Sequence, residues 1–432
     1  MDAITPQPRA AWIAGRAEHG ASTFAVTHPC DDTEVATVAL PDDDQVERAV
    51  ASAADAAPIL RRAPAHARAT ALEDVARGLA TRADELAELI TAESGKPLRW
   101  AEVEVAHAVA ALRSAAREAT RADGELHRLD SDVAGEQRME LVRKRPRGPV
   151  LGAVPVHCPL GVAAHTVAAA LAVGAPVVLA PDVRAPLAAL ALGEVLAETD
   201  LPEGAYSVLP IEAMKVTARL ATDSRFAATY AGATGTTTAV VLADWPDLDG
   251  AAQRIAASAT QEAGQGAHAV RTVAVDAAVA DDFVAALTDT VRAQPTGDPF
   301  DPAVSVGPMA TAEAAARLAE WLEETTSNGA KLLTGSATEP TLLQGPVAAE
   351  PVPGPVLVVS VADSVDAAFG LAAGSRTGVF TRDVTLALRA SAELAADAVV
   401  VGDVPTYRPD SVRATMREFG VERVTVLTGV PL

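Results

Sequence analysis

Cysteine is scarce in this sequence. The 432 residues hold two, Cys30 and Cys158. That is too few for a disulfide framework and fits a reducing, cytoplasmic setting. Aromatic residues make up 3%, so a core must rest on Ala, Val and Leu. Positive charge is short as well: 35 Lys and Arg face 57 Asp and Glu, a net charge of −22. Such a field repels phosphate backbones and anionic lipid, which argues against nucleic acid or a membrane surface as partner. Residues 1–20 hold Asp2, Arg9, Arg16 and Glu18 with no apolar run between them, so no targeting segment is expected. The longest uncharged run, Gly148 to Pro181, is interrupted by Pro155, His157, Pro159, His165 and Pro176. It reads as strand, turn, Ala-rich helix (Leu160–Val173) and strand, with Gly174 as helix stop, rather than as a membrane span.

What remains is ample for a buried core. Composition is 49% hydrophobic and 21% charged, which excludes global disorder, and the length suits two to four domains. The first third reads as helical. Asp42–Asp44 offers N-caps for a helix to about Arg62, and Pro64 opens a second. A third spans Ala83 to Glu93 and stops at Ser94-Gly95-Lys96-Pro97, and a fourth runs from about Leu98 to Ala119. From Gly148 onward strands and helices alternate. Strands are expected at 149–154, 176–180, 239–243, 269–275, 355–361, 397–401 and 421–427. Helices are expected at 185–198, 211–221, 249–262, 280–293, 311–328, 364–373 and 384–395. This predicts an α/β fold with open parallel sheets, dividing near Asp249 into two domains.

Chemistry-bearing motifs are weak one by one. Gly232-Ala233-Thr234-Gly235 could cradle a phosphate, but it lacks the lysine of a P-loop and the spacing of a dinucleotide fingerprint. His157, Cys158 and His165 offer zinc-type atoms without a fourth ligand, so no metal is expected. Paired carboxylates such as Glu102/Glu104 and Glu323/Glu324 read as solvated helix faces. No nucleophile elbow and no C-x-x-C is present. Spacing alone yields no active site.

Taken in order, the landmarks resemble the NAD(P)-dependent aldehyde dehydrogenase superfamily over nearly the whole chain. Trp12-Ile13-Ala14-Gly15 resembles its N-terminal W-I-x-G strand. Glu93-Ser94-Gly95-Lys96-Pro97 followed by Glu102-Val103 resembles its E-x-G-K-P…E-V junction. Arg147–Pro155 and Ala169–Pro181 match the strands around P-x-N-x-P and K-P, and Ala263-Gly264-Gln265 resembles A-G-Q-x-C. Gly297-Asp298-Pro299, Asn328–Gly335, Pro353-Gly354-Pro355 and Val379–Asp383 follow in the family's order.

The resemblance implies an aldehyde dehydrogenase-like architecture. The cofactor-type, Rossmann-like domain would take 1–120 and 146–249, and the catalytic-type domain 250–407. An oligomerisation arm and tail would take 121–145 and 408–432. It implies NAD or NADP as cofactor and assembly as a homo-oligomer, or as a hetero-oligomer with an active relative. It also implies that the chemistry has been lost. The slot of the attacking cysteine is Ala267, and the oxyanion-stabilising Asn is His157. The ribose-holding Lys is Ala180, before Pro181, and the ribose-binding Glu aligns with Pro351 beside Glu350. The pyrophosphate turn shrinks to Gly232-Ala233-Thr234-Gly235, and the segment with the general-base Glu is gone. An inactive scaffold or partner subunit is the expectation. The alternatives are an enzyme whose chemistry has moved to Cys158, and a ligand-binding module in the old cofactor cleft. Val421–Leu427 is expected either to pair with a neighbour's arm or to close its own domain.

Overall fold

The computed structural model describes residues 8–121, 124–212, 219–232, 235–345, 352–405 and 411–429. The first third opens on strands, which the sequence reading did not anticipate beyond the one at Trp12–Gly15. These are β1 (Ala11–Ile13), β2 (Arg16–Glu18), β3 (Ser22–Thr27) and β4 (Glu34–Leu40). β3 and β4 form a separate antiparallel hairpin. Four helices follow: α1 (Asp43–Leu60), α2 (Ala65–Thr81), α3 (Ala83–Ser94) and α4 (Leu98–Ala119). Asp42 caps α1 in a reciprocal box with Gln45, and Gly95, at φ +70°, ends α3.

The chain then leaves the body as an arm, β5 (Gly124–Arg128) and β6 (Arg138–Pro146), and re-enters at β7 (Val150–Val154). α5 (Pro159–Val173), β8 (Val177–Pro181), α6 (Leu187–Ala197), β9 (Tyr206–Val208) and β10 (Ala228–Tyr230) complete the first sheet. Its order is β10-β7-β8-β9-β1-β2, parallel from β10 to β9. α5 and α6 are apolar on all sides and buried, and α5 lies against α2 and α4. Alanines 163, 164, 168–170 and 172 let these helices approach closely, which is how a core poor in aromatics still packs. Most of the helix expected at 211–221 lies outside the described residues. No helix among the described residues is long and apolar enough to cross a membrane.

The second sheet is built from β11 (Thr237–Val241), α7 (Leu248–Thr260), β12 (Val270–Asp276), α8 (Ala280–Arg292), α9 (Ala312–Ser327), β13 (Lys331–Ser336) and β14 (Glu339–Gln344). It continues with β15 (Val356–Ala362), α10 (Val365–Leu371), β16 (Arg376–Phe380), α11 (Val384–Glu393) and β17 (Ala398–Val401). Its order is β13-β14-β15-β12-β11-β16-β17, parallel except for β13. α7 and α8 cover one face, α10 and α11 the other. The division near Asp249 is thereby corrected: β11 hydrogen-bonds to β12 and β16, so the crossing between sheets falls at 231–236. Six residues, 231–236, are too few for the crossover that would add a further parallel strand to the first sheet.

After α12 (Ser411–Phe419) the chain ends in β18 (Gly420–Thr428). β18 pairs antiparallel with this chain's own β6, from Gly420↔Pro146 to Thr428↔Arg138. The tail thus joins this chain's own arm in a three-stranded sheet ordered β18-β6-β5, with β18 at the sheet's edge.

Candidate functional site

The turn joining β7 to α5 carries His157 and Cys158, and Cys158 occupies the N-cap position of α5. A strand placement would have pointed the two side chains to opposite faces; the turn removes that constraint. Glu104, on α4, accepts from the backbone N–H of Leu160 (2.9 Å) and Gly161 (2.8 Å), so it caps α5 from a distance. The reading of Glu104 as a solvated carboxylate is corrected here. It lies on the same helix face as Ala101, Val105 and Ala108, all buried. Its other oxygen takes a short contact from the ammonium of Lys96, the lysine between Gly95 and Pro97. Lys96 Nζ also donates to Glu262 Oε1 at 3.0 Å. Side-chain exposures of 2% for Lys96, 4% for Glu104 and 5% for Glu262 make this one ammonium clamped between two buried carboxylates.

Glu262 reaches the clamp from an unusual loop. It and Ala263 both lie in the left-handed region, at φ 56° and 50°, followed by Gly264 at φ +66°. Three such residues in succession, two with a Cβ, store strain of roughly 1–2 kcal/mol per non-glycine residue. The loop is pinned by Gln265, whose Nε2 donates to Glu262 O and whose Oε1 accepts from Ala310 N. Gly264 O accepts from Gly354 N, and a Cβ at Gly264 would stand 1.9 Å from Gly354 O. Ala267 follows, its carbonyl accepting from Thr237 Oγ1 at 2.8 Å. Its methyl group offers no attacking atom.

The electrostatics favour the clamp over a reactive thiol. Burial opposes charge on Lys96, yet Glu104 and Glu262 keep the ammonium well above its usual range. Burial would raise Glu262, but Lys96, His268 and His157 outweigh it and hold the carboxyl at about 2. Burial, reinforced by Glu104 and Glu262, pushes the Cys158 thiol well up, so it stays protonated at neutral pH. Burial lowers His157 to about 4, leaving a neutral imidazole. Cys158, Glu104 and Glu262 each bring one ligand-type atom within 4.8 Å of the others. Lys96 already bonds both carboxylates, so the cluster has its cation built in. His165 stands apart: its Nε2 lies 2.8 Å from Thr415 Oγ1, and its ring stacks on Tyr230 at 5.2 Å.

Of the expected cofactor positions, Ala180, Pro181 and Gly232 lie among the described residues. Ala180 is buried on β8 among Val178, Leu209 and Leu220, with Pro181 ending the strand, and neither offers a donor to a ribose or phosphate. Gly232 turns at φ +84° just beyond β10. Ala233 and Pro351, with Glu350, lie outside the described residues. Six residues, 231–236, separate β10 from β11, fewer than the pyrophosphate-binding helix implied by the resemblance would take. Ala180 and Pro181 therefore do not supply the ribose anchor that the resemblance implies for NAD or NADP. Sequence reasoning missed Lys96, Glu104 and Glu262 as one site. The available signal was the helical spacing of Glu104 with buried alanines.

The model of the aldehyde dehydrogenase family matches residues 16–237 and 229–418. The chain belongs to that family. It is 28% identical over 433 residues to the 3-sulfolactaldehyde dehydrogenase of Priestia aryabhattai, covering 92% of this chain and 90% of that protein. The crystal structure of aldehyde dehydrogenase 21 from Physcomitrella patens, in complex with the reaction product succinate, superposes with TM-score 0.93 at 29% identity. It covers 99% of each chain. The NADP-dependent glyceraldehyde-3-phosphate dehydrogenase of Bacillus halodurans, complexed with NADP, gives TM-score 0.89 at 25% identity over 98% of this chain and 99% of that one.

Proposed function

We propose that this chain is a catalytically inactive aldehyde dehydrogenase, serving as a scaffold or partner subunit in the cytoplasm. The observation that carries the reading is Ala267 in the nucleophile slot, on a loop whose Glu262 is locked to Lys96. Oxidation in this family's manner needs a thiolate to form a hemithioacetal, hydride departure to nicotinamide, and water to release the acid. Alanine forms no such bond. The absent ribose anchors and the short crossing at 231–236 support the same reading. Assembly is with a second copy or an active relative. The arm sheet supports this, because it exposes Leu126, Val421, Val424, Val426 and Leu427.

One observation favours a second reading. Cys158 and two carboxylates converge near the old oxyanion position, the grouping a relocated NAD(P)-dependent aldehyde dehydrogenase would need. The raised thiol weighs against it. The test is turnover of a panel of aldehydes with NAD+ and NADP+, read as reduced dinucleotide, on the protein and on Cys158→Ala. The scaffold reading expects no turnover from either. Turnover abolished in the variant establishes the second reading, and turnover retained in it overturns both. Calorimetry with NAD+ and NADP+ tests the old cleft as a ligand module, which the missing anchors argue against.

A further inference from the structure

A cavity of about 140 Å³ lies where the arm meets the body, well away from the clamp. Six cations line it: Arg68 from α2, Arg121 just after α4, Lys144 and Arg145 from β6, and Arg413 and Arg417 from α12. Glu118 is the one acidic residue in the lining. It is engaged by Arg121 at 3.1 Å and by Arg413 at 3.5 Å. The lining thus carries a net charge of +5 in a chain whose net charge is −22.

Structural duties absorb only part of that charge. Arg68 Nη1 donates to Ala63 O at 2.7 Å, while its Nε is buried without a hydrogen-bond partner. The C-terminal ends of α4, α5 and α12 border the cavity. Each contributes roughly half a negative charge, and Lys144 is itself partnered, which leaves an excess of about two to three positive charges. Arg68 and Arg413 are half-buried, while Arg121, Lys144, Arg145 and Arg417 are exposed, so the excess lies open to a counter-anion from solvent. Guanidinium forks arranged around a small cavity suit the geometry of phosphate oxygens.

We propose that this cavity is a binding site for a small phosphorylated polyanion, carrying two or more phosphoryl charges, that ties arm and tail to the body. Its contacts come from α2, β6 and α12, so an occupant bridges the arm sheet to the first-domain helices. The proposal does not depend on whether the chain turns over an aldehyde.

The test is isothermal titration of the full chain with inorganic pyrophosphate at low and at moderate salt. We expect saturable binding at one site per chain, weakening with salt, and weaker binding of inorganic phosphate. Arg145→Glu/Arg417→Glu, at two exposed positions, should weaken it by about a hundredfold or more. Arg292→Glu, on α8, should leave it unchanged. Lys144→Gln and Arg417→Gln, made singly, serve if the double reversal does not fold, and each should cost about tenfold. Absence of binding overturns the proposal. So does binding that the cavity variants leave intact, since the anion then sits elsewhere. Light scattering supplies the third arm. If the variants change the assembled mass while pyrophosphate gives no heat, the patch is a contact between copies and the proposal falls.

Discussion

Replacing Lys96 by Met removes the ammonium and keeps most of the volume. Glu104 and Glu262 then remain buried, Glu104 still accepting from Leu160 and Gly161 and Glu262 with His268 Nε2 at 3.7 Å. At a separation near 3 Å and an effective dielectric of 20, the lost attraction to Glu262 is about 5 kcal/mol. Breaking a buried pair from one side costs ~3–5 kcal/mol in practice, a large share of a typical net stability of roughly 5–15 kcal/mol. The assay is urea denaturation followed by fluorescence between pH 8 and pH 5. In the parent, Glu262 titrates at about 2 in the folded state against 4.5 unfolded. Its stabilisation is therefore complete above pH 4.5 and is lost as pH falls toward 2. In Lys96→Met, Glu262 loses the ammonium that does most to offset its burial, and its folded pKa is expected to rise above the unfolded value. The folded variant takes up protons as pH falls, so its deficit narrows from pH 8 to pH 5. Adding Glu262→Gln should recover part of the loss at pH 8. A single variant within 1 kcal/mol of the parent across this range, with no pH dependence, would refute the clamp.

Gly264→Ala places a methyl 1.9 Å from Gly354 O on backbone at φ +66°, so a loss of more than about 2 kcal/mol is expected in thermal or urea unfolding. Iodoacetamide at neutral pH should label exposed Cys30 first, with Cys158 reacting no faster than free cysteine, as read by peptide mass spectrometry. His157 and His165 both titrate at about 4, below the ordinary 6.5. Their contribution to stability is complete above pH 6.5 and is lost as pH falls toward 4. His165→Phe should flatten that part of the melting-temperature profile.

Much of the helical framework was legible because local signals fix it. The Asp42/Gln45 box, Pro64, Gly95 and Pro97 mark ends that tertiary packing then leaves in place. The β3–β4 hairpin was not legible, because β3 is mostly exposed and β4 buries Val35, Ala36, Val38 and Ala39 in adjacent pairs, so neither strand shows a clean two-residue alternation. β16 has no strong local signal either, although the resemblance passes through Val379 and Phe380. The clamp was hidden for another reason. Lys96, Glu104 and Glu262 come from a helix junction, a helix face and a strained loop, 166 residues apart at the extremes. Nothing in the spacing of charged residues reports that meeting. Ala267, by contrast, could be set in the nucleophile slot that the resemblance implies once the A-G-Q landmark was placed.

The central claim is that no hydride leaves an aldehyde on this chain. A single-turnover absorbance measurement, with protein in excess over NAD+ or NADP+ and saturating aldehyde, reads the first hydride directly. The account predicts a flat trace for the protein and for Cys158→Ala alike. A burst of reduced dinucleotide from the protein, lost when Cys158 is replaced, would contradict it.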